Sequence, residues 1–363
     1  MTLRRFATLS VLAFATLVVA CSDTPQAPVA PEAESTEISE VLRESRDLEI
    51  RLSIPDQPLE GAGPVLVRIE ATNRSTRSVL VPRWFLQDGE LEEALFEVTR
   101  DGRALPYVGM HVKRPAPTTE DFVTLAPGVT FRVTVDLQSG YDLSLDGVYG
   151  IAYRGQTGFG PSARLIRSSV QPLLLAGRVP KPVEVGEITP AAGTLSFSGR
   201  CDATQQSTIR TAITNATGYA AESDGYLAAN VSATARYTEW FGTFSTAAHS
   251  QVKGQFANIR SAFETKPITV DCSCKKSYYA YVYPSQAYKI YVCRAFWSAP
   301  ALGTDSKAGT MIHEMSHFNV VAGTSDFAYG QSAARTLATT NPTNARKNAD
   351  NHEYFAENTP FRQ

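Results

Sequence analysis

Residues 309–330 read GTMIHEMSHFNVVAGTSDFAYG, and the architecture of the C-terminal half turns on this stretch. His313 and His317 are four positions apart, which on a helix puts both imidazoles on one face. Thr304 or Asp305 is the expected cap of that helix, which runs through SKAGTMIHEMSHF. Glu314 follows the first histidine in the order H-E-x-x-H, where a carboxylate can reach a water beside a metal without ligating the metal itself. A plain helix with two histidines and an exposed glutamate would look the same over those five letters. The residues beyond the helix argue against that plain reading: Gly323 lets the chain turn, Asp326 returns nine positions after His317 as a candidate third ligand, and Tyr329 comes three positions later. Three protein ligands leave a fourth position open, the arrangement of a catalytic zinc, whereas structural sites are closed by four. A phenol on the returning segment can donate to an oxyanion forming beside the metal.

Around this stretch, the sequence after Cys201 predicts a mixed domain that is mostly helical. DATQQSTIRTAITNATGYAAESDGYLAANV reads as helix, ITVDCSC, YYAYVYP and KIYVCRAFW as strands, and QSAARTLATTN as helix again. PTNARKNADNHEYFAEN is expected to form one helix, capped by Asn341 with Pro342 at its first position. It carries Asp350 and Glu353 three apart on one face. By spacing alone that pair fits a solvated acidic face answered by Arg346 and Lys347.

The N-terminal half has a different texture. From about residue 46 to 160, short alternating runs such as LEIRLSI, VLVRIEATN, LFEVTRDG, FRVTVDL and VYGIAYR are separated by Gly, Pro, Asn and Asp turns. Seven or eight such strands without a helical period predict an all-β sandwich of immunoglobulin-like type. Residues 161–193 are rich in proline and glycine and read as a connector. At the start, two arginines, an apolar run from Leu9 to Val19 and VVAC predict an export signal over 1–20. Cys21 in that context predicts a lipidated N-terminus, followed by a flexible tether over 21–45. The expected location is therefore the cell envelope, as a lipoprotein precursor, or the outside of the cell after release.

The formal charge of −2 over 363 residues gives no basic footprint for nucleic acid and no polybasic stripe for a membrane, so membrane contact is expected only through Cys21. The remaining cysteines, Cys201, Cys272, Cys274 and Cys293, are expected to be oxidised in an exported chain. Cys272 and Cys274 are too close along a strand to pair with each other, which leaves two pairings. A zinc knuckle fits neither the spacing nor the compartment.

The chain resembles the aspzincin, or deuterolysin, zinc metallopeptidases, marked by H-E-x-x-H followed by G-T-x-x-D-x-x-Y-G, here HEMSH and GTSDFAYG. It is more similar still to the peptidyl-Lys metalloendopeptidases of that family. That likeness runs from about Thr194 to the C-terminus through RYTEWFG, AYVYP, AFWSAP, GTDSKAGTMIHEMSHF and NADNHEYFAEN, and leaves the β-rich half uncovered. The resemblance implies a zincin-like domain over 194–363 with one Zn2+ held by His313, His317 and Asp326, Glu314 as general base and Tyr329 as transition-state donor. It implies disulfides Cys201–Cys272 and Cys274–Cys293. It also gives Asp350 and Glu353 a role as the pocket for a lysine after the scissile bond, so that proteins and peptides would be cut on the amino side of lysine.

Family members are made with N-terminal propeptides, so the sandwich is expected to be an intramolecular prodomain that inhibits or assists folding. Cleavage in the connector, with Lys181 as one candidate point, would release a mature secreted enzyme. The alternatives are a deuterolysin-like peptidase of broader specificity and a non-catalytic surface-binding lipoprotein. Of the other histidines, His249 and His352 are expected at the surface or behind the site, and His111 in YVGMHVKRP is a candidate zinc-blocking group in a latent form.

Overall fold

The computed structural model describes residues 45–157, 164–179 and 193–363. The export segment, nearly all of the tether, Cys21 and Lys181 lie outside the described residues.

The alternating runs of the N-terminal half become strands for the reason their period suggests. In Leu66–Asn73, Val67, Ile69 and Ala71 are fully buried while Arg68 is exposed. That strand pairs antiparallel with Leu48–Ser53 on one side and Thr130–Asp136 on the other, with Gly89–Glu90 beyond the latter. A second sheet is built on the long strand Gly147–Thr157, which pairs with Phe96–Arg100, Arg164–Arg167 and Gln171–Leu175. Side chains from both sheets share one apolar core, Ile69 and Val133 from the first with Val98, Tyr149 and Ile151 from the second. The last two strands fall in the segment read as a connector, and the structure corrects that expectation. Gln171–Leu175 alternates its burial like any other strand and carries Pro172 within it, opposite Gly150.

The C-terminal half folds around its own core. Three strands, Leu195–Ser198, Ile268–Asp271 and Lys289–Val292, run parallel, and Ala280–Val282 joins them antiparallel. Helices Ala203–Ala229, Thr246–Thr265 and Lys307–His317 pack with this sheet through Ile209, Val252, Phe256, Val270, Ile290 and Ile312. The long first helix starts in a capping box between Asp202 and Gln205. Disulfides join Cys201 to Cys272 and Cys274 to Cys293.

The fifth strand of this sheet comes from the other half of the chain. His111–Lys113 pairs antiparallel with the edge strand Ala280–Val282, with Lys113 opposite Ala280, Val112 opposite Tyr281 and His111 opposite Val282. The β-rich region thus covers an edge of the C-terminal sheet, as unpaired edges require. Among the described residues no helix is long and apolar enough to cross a membrane.

Candidate active site

The motif helix is capped one or two residues later than expected. Ser306, not Thr304 or Asp305, is its cap: the Ser306 hydroxyl accepts from the Gly309 amide at 2.9 Å and donates to Glu357 Oε1 at 2.8 Å. Asp305 has a positive φ of 52° and turns the chain into the cap. Gly309 is required by close approach, because a Cβ there would collide with the carboxylates of Glu357 and Glu353 on the last helix.

His313 and His317 project from this helix into the interior, both fully buried, their ring centroids 4.8 Å apart. Beyond the helix the chain reverses at Gly323, which has a φ of 59°. Thr324 is held back on the helix end by its amide on the Ser316 carbonyl at 3.1 Å and by its hydroxyl against that of Ser316 at 2.6 Å. The Thr324 carbonyl lies 2.8 Å from His317 Nδ1. A carbonyl only accepts, so Nδ1 carries the proton and Nε2 keeps its lone pair for a metal. On His313 the same task falls to carboxylates, with Nδ1 facing Asp350 Oδ1 at 2.9 Å and Glu353 Oε2 at 3.4 Å.

Asp326 returns beside both histidines. Its Oδ1 lies 3.2 Å from His313 Nε2 and its Oδ2 3.5 Å from His317 Nε2. None of these four atoms makes a hydrogen bond of acceptable geometry, and neither do the two Glu314 oxygens, although all are buried. Buried polar groups left this way are costly unless something else binds them. The donors of a tetrahedral zinc lie about 3.3–3.6 Å apart when each bond is about 2.0–2.2 Å, so the two contacts of Asp326 are close to that spacing, and two imidazoles with a carboxylate suit the ion in chemistry. Against the cost of burial, the facing imidazoles of His317 and His313 hold the Asp326 carboxyl well below the usual carboxylate range. Burial pushes Glu314 the other way, to about 8.

The residue that fixes this returning segment was not anticipated. Asn348 Oδ1 accepts from the amides of Phe327 and Ala328 at 2.7 and 3.1 Å, and its Nδ2 donates to the Ala328 carbonyl at 3.2 Å. Ser325 bridges the same stretch through Lys347 and Ala349. To make these contacts the chain leaves helical geometry after Arg346. The single helix expected over 342–358 is therefore two, Pro342–Ala345 and Ala349–Glu357. Asn341 does cap the first of them.

Asp350 and Glu353 lie on the second of these helices, both fully buried, which excludes a solvated acidic face. Between them sits the ammonium of Lys113, 2.5 Å from Glu353 Oε2 and 3.6 Å from both Asp350 Oδ1 and Asp305 Oδ1. The aromatic faces of Tyr279 and Tyr354 lie 5.1 and 5.7 Å from it. Burial works against the charge, but Asp350, Glu353 and Asp305 hold the Lys113 ammonium well above its usual value. Tyr329 stands on the opposite flank, its hydroxyl donating to Glu93 Oε1 of the β-rich region at 2.5 Å. His111 lies beside the metal-binding atoms, its Nδ1 3.6 Å from Asp326 Oδ2.

Two other histidines are placed differently from expectation. His352 is buried, hydrogen bonded to Asn348 and Gln255 and packed on Phe241 and Phe256, and His249 lies under Tyr237 and Phe244. Both are core groups.

A helix that presents two imidazoles, a returning carboxylate and an unligated glutamate together carry the donor chemistry of a zinc hydrolase. Comparison with known proteins narrows that class. Residues 226–357 match the aspzincin family, described as lysine-specific metallo-endopeptidases. An extracellular protease of Aeromonas hydrophila is 43% identical over 307 residues, covering 82% of this chain and 88% of that protein. A peptidyl-Lys metalloendopeptidase of Armillaria mellea is 36% identical over 276 residues, covering 73% and 78%. A solved zinc peptidase from Grifola frondosa is 46% identical, covers 45% of this chain and 100% of its own, and has a TM-score of 0.44. The chain belongs to the aspzincin metallopeptidases and is a zinc metalloendopeptidase acting on proteins or peptides. The likeness to the first two relatives reaches past Thr194 into the β-rich half, further than the motifs alone suggest.

Proposed function

We propose that this chain is the exported, latent precursor of a peptidase that cuts on the amino side of lysine. Its zinc would be held by His313, His317 and Asp326, and its β-rich region would be an inhibitory prodomain of sandwich type. The observation that carries the specificity is the chain's own Lys113, whose ammonium is fully buried against Glu353 and Asp350. At about 4 Å and an effective dielectric near 20, each such attraction is roughly 4 kcal/mol before desolvation is subtracted. A planar guanidinium does not match a pocket closed around a point charge, so arginine should be the poorer substrate. The name of the Aeromonas relative supports export.

When bound, zinc would supply Lewis acidity toward the scissile carbonyl and toward water. Glu314 would take the proton of the attacking water and hand it to the leaving amine. Once the prodomain is gone, the Tyr329 hydroxyl no longer donates to Glu93 and can donate to the developing oxyanion. Asp350 and Glu353 would fix the lysine side chain, and with it the bond to be cut. The strand edge Ala280–Val282, vacated by His111–Lys113, would receive the substrate backbone.

Matched peptides carrying lysine, arginine or methionine after one cleavable bond test the specificity of the processed enzyme. The expected order of kcat/KM is lysine well above arginine and methionine. Equal rates would remove the lysine pocket and leave a peptidase of broader specificity.

A further inference from the structure

Resting on that reading of the zinc site, we propose that His111 is the fourth zinc ligand of the uncleaved chain. It would convert an open catalytic site into a closed one and so keep the precursor from cutting itself at Val112–Lys113.

The strand His111–Lys113 lies in the cleft as a substrate would, antiparallel to an edge strand with a lysine in the lysine pocket. Side chains two apart on a strand point to the same face. His111 and Lys113 therefore both enter the cleft, while Val112 turns away into a small apolar cluster with Tyr278 and Cys293. With Lys113 seated, the bond beside it is one the enzyme should cut. The group lying against the metal-binding atoms, however, is the His111 imidazole.

Its position suits a ligand. Nδ1 is 3.6 Å from Asp326 Oδ2, and the ring lies 4.7 Å from that of His317, tilted by 33°. Donor atoms of His111, His317 and Asp326 all fall within 4.8 Å of one another, a spread that zinc would draw in to about 3.3–3.6 Å on binding. The other such cluster, His313 with Asp350 and Glu353, already holds the Lys113 ammonium and needs no metal. The His111 ring is also supported from behind. Tyr107 meets it edge-on at 5.7 Å, and the single proton of the Tyr107 hydroxyl is shared between the carbonyls of Met110 and Leu91 at 3.0 and 3.2 Å. Four protein ligands leave no place for the water that a hydrolytic zinc needs. Glu93, on the hydroxyl of Tyr329, withholds the oxyanion donor at the same time.

X-ray absorption at the zinc edge tests this on the zinc-loaded, uncleaved full-length chain. Three imidazoles are expected, falling to two in His111→Gln, and the variant should release zinc to a chelator about 10-fold faster or more. Two imidazoles in the uncleaved wild-type chain would overturn the proposal without needing any variant. A His313→Ala/His317→Ala chain checks the underlying site separately. If it binds no zinc while the wild type shows two imidazoles, the site stands and the role of His111 falls. If it still binds zinc through three imidazoles, the assignment of the site itself is wrong.

Discussion

Single residues divide by how far their role can be read without a fold. His313, Glu314, His317, Asp326 and Tyr329 lie in one local stretch, so helix geometry and one turn are enough to bring them together. Asp350 and Glu353 are different, because their spacing is the same whether the face is wet or dry. Only their complete burial around Lys113 separates a pocket from a surface. Glu314→Gln should retain zinc, measured by metal analysis, while kcat falls by about 10²–10⁴-fold. Normal turnover in that variant would remove the general base. The two pocket carboxylates should not behave alike. Asp350 faces His313 Nδ1 at 2.9 Å and accepts from the Gly330 amide at 2.6 Å, so Asp350→Asn should weaken zinc by about 10–100-fold as well as lysine preference. Glu353 lies farther from that ring, at 3.4 Å, so Glu353→Gln should chiefly erode lysine preference. Zinc titration beside peptide kinetics separates the two effects.

Elements were legible where a period ran long enough. The strands of the β-rich half and the helix Ala203–Ala229 come from alternation and capping chemistry. The last helical stretch was not, because its break depends on what Asn348 touches rather than on local preference. An asparagine just before Ala349 looks like an ordinary cap, yet its side chain reaches back to the segment that carries Asp326 and Tyr329. Asn348→Ala leaves the buried Ala328 amide and the half-buried Phe327 amide without an acceptor, at about 1–3 kcal/mol for the buried one. Thermal unfolding of the zinc-free chain should register that loss, and zinc affinity should fall with it. An unchanged melting temperature would mean that Asp326 is held by other contacts. Gly309→Ala tests the approach of the first and last helices of the site. It should destabilise by about 1–3 kcal/mol through overpacking against Glu357 and Glu353.

At the scale of the whole molecule, pairing between His111–Lys113 and Ala280–Val282 joins segments from opposite halves of the chain, and no local pattern announces it. HVK reads as one more short strand until Lys113 is found between Asp350 and Glu353. A larger set of contacts surrounds that pairing: Arg114 pairs with Glu92 at 2.9 Å and lies between Trp84 and Tyr278, and Lys276 reaches Glu92 at 3.3 Å. Lys113→Ala would strand Glu353 and Asp350 without their cation, a loss on the order of 3–5 kcal/mol for a buried pair. After a cut in the connector, the β-rich fragment should stay bound in the wild type and separate readily in the variant, as read by size-exclusion chromatography. Equal retention would show that the lysine adds nothing to the interface.

The most direct check on lysine-directed cleavage is to digest one denatured protein with the processed enzyme and sequence every new N-terminus. Lysine should begin nearly all of them, and that bias should weaken in the Glu353→Gln enzyme. New termini of mixed identity from the wild-type enzyme would contradict a lysine-directed peptidase.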